Sequence, residues 1–405
     1  MKTDATWQLD VDMEKWVIGL RRWFHRYPEL SFEERNTQKK VLEVLETIGI
    51  QGREIAGTGV LAEIKGAKPG KTIALRTDMD ALKILEAETD LNRDYRSQNQ
   101  GVMHACGHDG HMAMVLGAAR ALAAMRDRLA GNVRLVFQQA EEDFPGGAYK
   151  LIEEGGLQGV DAIACCHLHG SIELGKLSFR PGPFMAYARK FIARLIGRPG
   201  HHMCPQDNID PVQMAARFVS TLQQDIKQSL DPKEVYVLGF GSSNSGAQFN
   251  QTPADATVIG SYRTFDRGVS DRVEQVMRRN LDGIMKGFAI PTVKDLPRYE
   301  LEVEDGYPVL VNHPAFTKRA AEVLKRDFTV DDDADVNLGG EDFAYYLEKV
   351  PGMFIFLGSA NPGRGITAVN HSDRFDIDEA ALGVGVRVFV RLVTDFLGNP
   401  AAYTG

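Results

Sequence analysis

The chain has 405 residues, 43% hydrophobic and 25% charged, an ordinary globular balance that is long enough for two or three hydrophobic cores and predicts at least two domains. Its net charge of −8, from 55 acidic and 47 basic residues, is spread along the chain with no basic run suited to neutralising phosphates, which argues against a nucleic-acid partner. No stretch approaches the ~20 apolar residues of a membrane span, and "MKTDATWQLDVDMEKW" has no apolar run after its early lysine, so no membrane association and a cytoplasmic location are expected. The cysteines Cys106, Cys165, Cys166 and Cys204 lack the density and regular spacing of a disulfide framework, which fits a reducing compartment.

In chain order, "EKWVIGLRRWFHRYPEL" and "EERNTQKKVLEVLETIG" place apolar residues three and four apart and predict two amphipathic helices, the second stopped by Gly49. "GVLAEIKG" and "KTIALRTDMDAL" are short apolar runs that suit strands. A helix from about Gly110 to Met125 leads to the strand "NVRLVFQQA", the helix "GGAYKLIEEGG" and the strand "VDAIACCHLHG". This alternation implies an α/β fold with a largely parallel sheet covered on both faces.

Near "FRPGPFMAYARKF" the pattern changes, and the alternating "KFIARLIG" follows. From there to about Pro308 the order is strand, helix ("DPVQMAARFVSTLQQ"), two strands ("EVYVLGF" and "ADATVIGSYRTF"), helix ("DRVEQVMRRNLDGI") and a strand around "YELEVEDG". That order predicts an α+β domain with one sheet and both helices on one face. The polar "GFGSSNSG" reads as a turn or lid loop. Alternation resumes with "HPAFTKRAAEVLKRDF", "GMFIFLG" and "EAALGVGVRVFVRLVTDFL". The expected organisation is a discontinuous catalytic domain, residues 1–183 and 308–405, interrupted by an inserted domain over 184–307.

Five features fall near predicted strand ends, where open α/β sheets place their sites: "RTDMDAL", "HACGHDGH", "QQAEED", "CCHLHG" and "NHSDRF". Cys106 and His108 can face one ion from a turn, and thiolate and imidazole suit zinc-type metals. Read alone, the pair more often means that Cys106 is a small buried residue and His108 a polar helix start. Glu141 and Glu142 directly follow an apolar strand, where adjacent carboxylates repel unless a cation holds one of them. Their side chains point apart, so one can ligate while the other faces a water as general base; the plainer alternative is a solvated acidic turn. His167 ends a buried-looking strand and His371 lies in a loop before the last helix, each a ligand or a hydrogen-bonded structural residue.

Their joint occurrence on successive crossover loops favours a two-metal hydrolytic centre, with ions roughly 3.5–4 Å apart that activate a water and polarise a carbonyl. A thiol mechanism, with Cys106 as nucleophile and His108 as base, is disfavoured by their spacing in a tight turn beside so many ligand-like groups. Retention of Glu141 argues against a non-catalytic binding protein, and no G-x-G-x-x-G opens a helix after a strand, which argues against a dinucleotide enzyme.

The stretches "RWFHRYPELSFEE", "RTDMDAL", "MHACGHDGHMAM", "QQAEED", "GGEDFAYYL" and "NHSDRFDIDE" occur in this order over nearly the whole chain. Together they resemble the metal-dependent aminoacylase and carboxypeptidase family, in the branch of hippurate hydrolases, N-acyl-amino-acid amidohydrolases and auxin-conjugate hydrolases. The resemblance implies a metal-dependent amidohydrolase acting on the linear amide of a small N-acyl or N-aroyl amino acid, with two divalent ions, zinc or manganese, per subunit. It implies that Cys106, His108, Glu142, His167 and His371 hold the metals, that Glu141 is the general base, and that Asp80 orients a histidine ligand. It also implies that the inserted domain closes over the substrate and carries a homodimer interface. Through that interface His201 of "GRPGHH" would reach the partner's site to stabilise the oxyanion, while Asn250 and Arg263 hold the substrate carboxylate.

The chain departs from the branch pattern at Pro199, His202, Cys204 and Gln206 in "GRPGHHMCPQ", at Lys83 where proline is common, and at the additional His169, which reads as structural. These departures bear on substrate choice. A dipeptidase or carboxypeptidase of the same family is the alternative activity.

Overall fold

A computed structural model describes residues 9–403. Residues 1–8, part of the stretch read above for a targeting segment, lie outside the described residues. The described chain divides into two units. One runs up to Phe184 and adds Leu310–Asp335 and the residues from Glu341 onward; the other is Met185–Val309 with Val336–Gly340. Val336–Gly340 belongs with the second unit although the residues on both sides of it in the chain belong to the first. The reason is local: the Leu338 carbonyl accepts from Arg263 at 2.7 Å and the Gly339 carbonyl accepts the Ala186 N–H at 3.0 Å.

In the first unit, α1 (Val11–Arg26) begins where the Asp10 side chain accepts the Met13 N–H, and it buries Met13, Val17, Leu20 and Phe24 along one stripe. Helix α2 (Arg35–Thr47) follows, then β1 (Gly52–Ile55), β2 (Gly59–Lys65) and β3 (Lys68–Asp78). Helix α3 (His108–Ala124) is buried on nearly every side, because apolar and small residues surround its whole circumference. Gly117 is needed there, since a Cβ would lie 2.6 Å from the Val386 side chain of the final helix, Ala380–Gly398. Strands β4 (Ala130–Gln138), β5 (Ala162–Glu173) and β6 (Leu177–Ser178) complete the first half of the sheet.

The sheet has eight strands in the order β1-β2-β4-β3-β5, then Gly352–Ala360, β6 and Val330–Asp331. Its centre is parallel: β3 pairs in parallel with β4 and β5, and β5 with Gly352–Ala360. Among the described residues of this sheet, antiparallel pairing joins β1 with β2, β2 with β4, and Gly352–Ala360 with β6. The carboxyl ends of β4, β3 and β5 are therefore adjacent, with Asp78 level with Gln138 in the β3–β4 register.

The inserted unit has a four-stranded antiparallel sheet in the order Tyr236–Ser245, Asp255–Thr264, Tyr187–Ile196 and Arg298–Asp305. Phe191, Ala193, Leu195, Ala256, Val258 and Tyr262 share one core with Met214, Phe218, Leu222, Met277 and Leu281 of the helices Pro211–Ser229 and Arg267–Phe288. "GFGSSNSG", expected as a turn or lid loop, instead supplies most of the edge strand Tyr236–Ser245. Pairing with Asp255–Thr264, with a register shift between Phe240 and Ser242, satisfies its backbone and overrides its loop-like composition.

The four cysteines form no disulfide. Among the described residues no helix is long and apolar enough to cross a membrane.

Candidate metal centre

Each group that faces the centre is placed by a specific backbone feature. Gly107 takes φ +97°, a left-handed conformation open to glycine, and turns the chain so that Cys106 precedes α3 while His108 opens it. Glu141 and Glu142 follow β4, His167 lies within β5, and His371 sits at φ +67° with its N–H donated to the Ala105 carbonyl. A non-glycine residue in that region is strained and persists where surrounding structure holds it.

The five side chains expected to bind metal converge. Cys106 Sγ is 3.4 Å from His167 Nε2 and 3.3 Å from His371 Nε2. Glu142 Oε1 is 3.2 Å from His371 Nε2 and 3.8 Å from His108 Nε2. Glu141 Oε2 lies 4.0 Å from His108 Nε2, beside this set.

Two imidazoles are fixed through Nδ1, because His108 Nδ1 donates to the Asp80 carbonyl at 2.9 Å and His167 Nδ1 to the Leu168 carbonyl at 2.8 Å. That tautomer leaves each Nε2 with a lone pair facing the centre. His108 Nε2 and Glu142 Oε1 are buried and have no hydrogen-bond partner, as expected of atoms that await a cation. Burial opposes a charge on His108, yet Asp78, Asp80 and Glu142 push its pKa up to about 10, so the surroundings favour positive charge. The donor set of one thiol, three imidazoles and a carboxylate therefore fits a zinc-type ion.

Asp80 does more than face His108. Its Oδ1 is 3.2 Å from His108 Nδ1, while Oδ2 accepts from Ser31 Oγ at 2.7 Å and from the Glu142 N–H at 3.0 Å. His111, next in "HACGHDGH", is no ligand: Nδ1 donates to Asp78 at 2.7 Å and Nε2 accepts the Leu168 N–H at 2.8 Å. Cys106 is a poor nucleophile here, since burial and then Glu142 and Glu141 push its thiol up. The imidazoles at hydrogen-bond distance from its sulfur are those of His167 and His371, not His108.

The other expected residues lie in the inserted unit, except His169. His201 and Asn250 are neighbours, with Nε2 and Nδ2 3.3 Å apart, on the short ribbon that pairs Gly200–His201 with Gln251–Thr252. Arg263 donates to the Leu338 carbonyl. The His202 N–H is accepted by the Asn250 carbonyl, and Gln206 is exposed beside Asp207. His169 accepts the Ser171 N–H and packs edge-on to Phe356 at 4.8 Å.

Several groups have roles that the sequence reading left unassigned. Buried Arg76 bridges Asp78 and Asp342 at 2.8 Å each and approaches Glu341 at 3.2 Å. Glu341 and Asp342 lie close to Glu141, and burial followed by Glu341 and Glu142 holds the Glu141 carboxyl well above its usual range. "GGEDFAYYL" and "RTDMDAL" carried this signal as motifs, but nothing in their spacing shows that they meet.

On the far side of α3, Arg21 donates to Asp109 and Asp376 at 2.8 Å each. His25 bonds Asp109 at 2.8 Å and Glu86 at 3.0 Å. Burial and Arg21 lower the His25 pKa, but Asp109 and the bonds to Asp109 and Glu86 outweigh them and raise it from 6.5 to about 9. A raised native pKa contributes stability that is complete below pH 6.5 and lost as pH climbs through 9. The loss is on the order of 3 kcal/mol. Urea midpoints measured from pH 6 to 10 should fall over this window in the wild type and much less in His25→Gln; parallel curves would reject the assignment.

A largely parallel sheet that gathers a thiol, three imidazoles and paired carboxylates from β5 and from the segments following β3, β4 and Gly352–Ala360 has the build of a metal-dependent hydrolase. The pattern of peptidase family M20/M25/M40 matches residues 74–395. The chain is 38% identical to thermostable carboxypeptidase 1 of Saccharolobus solfataricus over 95% of this chain and 96% of that one. It is also 38% identical to the N-acyl-L-amino acid amidohydrolase of Geobacillus stearothermophilus, over 73% and 78%. A dinuclear metal binding peptidase of Bacillus subtilis has a crystal structure that superposes with a TM-score of 0.83 at 34% identity, covering 96% of this chain and 99% of that one. The chain belongs to peptidase family M20/M25/M40 and is an amidohydrolase.

Proposed function

We propose that this amidohydrolase cleaves the amide bond of N-acyl or N-aroyl amino acids with two divalent ions, zinc or manganese, held by Cys106, His108, Glu142, His167 and His371. The observation that carries this reading is the convergence of those five side chains, each with a donor or acceptor atom 3.2–3.8 Å from that of another, with Glu141 beside them rather than among them. When bound, the ions polarise the amide carbonyl and acidify the attacking water. Glu141 takes a proton from that water and delivers it to the leaving amine; a carboxyl raised by burial is a stronger base for the first step and a ready donor for the second. Asp80 holds His108 and the Glu142 backbone in place. Arg263, with its planar fork of donors, and Asn250 hold the substrate carboxylate. His201 supplies a donor to the oxyanion of a partner subunit, and the inserted domain, expected over 184–307, is the surface on which two copies pair.

A second reading is a carboxypeptidase or dipeptidase, of which the carboxypeptidase is favoured by the names of two relatives from Saccharolobus solfataricus, thermostable carboxypeptidases 1 and 2. The deciding experiment joins metal analysis to a panel of N-acetyl, N-benzoyl and N-indoleacetyl amino acids, their carboxamides, and dipeptides. Hydrolysis of the acyl amino acids, abolished by chelator, restored by metal and weak on the carboxamides, is expected. Turnover of peptides alone would transfer the assignment to the second reading.

A further inference from the structure

Glu34, in the "SFEE" end of a motif that the proposed function leaves without a role, is fully buried at the start of α2. Both of its carboxylate oxygens are committed: Oε1 accepts the Ala140 N–H at 2.8 Å, and Oε2 accepts from Thr58 Oγ1. Ala140 is itself buried and takes φ +51°, the left-handed region that an alanine avoids. The two residues that follow are Glu141 and Glu142.

The same loop is gripped further along. Asp80 Oδ2 accepts the Glu142 N–H at 3.0 Å, and Asp342 Oδ2 accepts the Ala148 N–H at 3.1 Å and a Gln138 Nε2 hydrogen at 2.7 Å. Of these three buried carboxylates, Glu34 is the one bonded to the strained residue itself. If Ala140 relaxed to negative φ, the Ala140–Glu141 peptide would rotate and the Glu141 side chain would leave its direction off the end of β4.

We propose that Glu34 is a positioning residue for Glu141: by holding the Ala140 N–H it keeps Ala140 left-handed and so aims the Glu141 carboxyl at the reacting amide. This rests on the proposed role of Glu141 as proton carrier. A displacement of about 1 Å at a reacting group costs on the order of 10²-fold in rate.

The test uses full-length, metal-loaded protein and the panel substrate turned over fastest. Glu34→Ala should lower kcat about 10²-fold, leaving KM within about threefold and the metal content unchanged. Glu34→Gln, whose amide keeps an oxygen for Ala140 and turns its NH2 towards Thr58 Oγ1, should stay within about threefold of wild-type kcat. Adding Ala140→Gly to Glu34→Ala should recover about tenfold, because glycine takes positive φ without an anchor. A role in stability alone predicts otherwise: a lower melting temperature, normal kcat per folded molecule and no recovery from glycine. That set of results overturns the proposal. If Glu34→Ala does not fold, the apolar pair Glu34→Leu with Thr58→Val leaves no orphaned hydroxyl and is read in the same way. An active Glu141→Gln would instead remove the reading on which the inference rests, whatever the Glu34 variants do.

Discussion

Glu141→Gln is expected to keep the fold and the metals and to turn substrate over on the order of 10²–10⁴-fold more slowly. The exchange is nearly isosteric and neutral, and it deletes the only function the carboxyl has in the proposed reaction, carrying a proton from the water to the leaving amine. Glu141 is 6% exposed, and its Oε2 lies 4.0 Å from His108 Nε2, beyond bonding distance, so the exchange leaves the proposed ligand set intact. Single-turnover rates on protein of verified metal content provide the measurement. Near-normal rates there would falsify the assignment. The same variant also tests the role of His201. Mixed with inactive His201→Ala after dissociation and reassociation, it should give heterodimers in which one site has both defects and the other neither, returning activity towards roughly a quarter of wild type. No recovery despite subunit exchange shown by mass would mean that His201 does not act across an interface.

Cys106→Ser should lose metal affinity by more than the roughly 10–100-fold that removal of an outer hydrogen-bond partner costs. Its sulfur is the point shared by His167 and His371, at 3.4 and 3.3 Å, and a neutral hydroxyl is a poor replacement for a thiolate. The sign of the pH dependence also follows. The Cys106 thiol is pushed up by burial and by Glu142 and Glu141, so ligation must expel its proton and wild-type affinity should rise with pH. The serine variant should show a shallower rise. Competition against a chelator across pH measures both effects, and an unchanged dissociation constant would exclude Cys106 as a ligand.

Parts of this architecture were legible in the chain because they are local. Apolar residues three and four apart in "EKWVIGLRRWF" and the apolar run of "NVRLVFQQA", interrupted by Arg134, announce α1 and β4, since periodicity reports which face is buried. "GFGSSNSG" reads as a loop although it is a strand, because an edge strand draws on a neighbour for its hydrogen bonds, and partners 11 to 22 residues away leave no mark on the composition of the strand itself.

The same division governs the site. The chemical inventory is written in the chain: one thiol, imidazoles and adjacent carboxylates in or just after successive strands, which is enough to specify metal-type chemistry. Folding sets which of them meet. His108 and His111 stand three residues apart on one helix, yet Nδ1 of His108 turns to a carbonyl and leaves Nε2 free, whereas His111 spends both nitrogens on Asp78 and Leu168. Glu34, Asp80 and Asp342 reach the loop of Glu141 and Glu142 from three distant segments of the chain. A hydrogen bond forms between groups that the fold brings within about 3 Å, with no regard to their separation in sequence, so residue type can be read from the chain while partnership is settled only by folding.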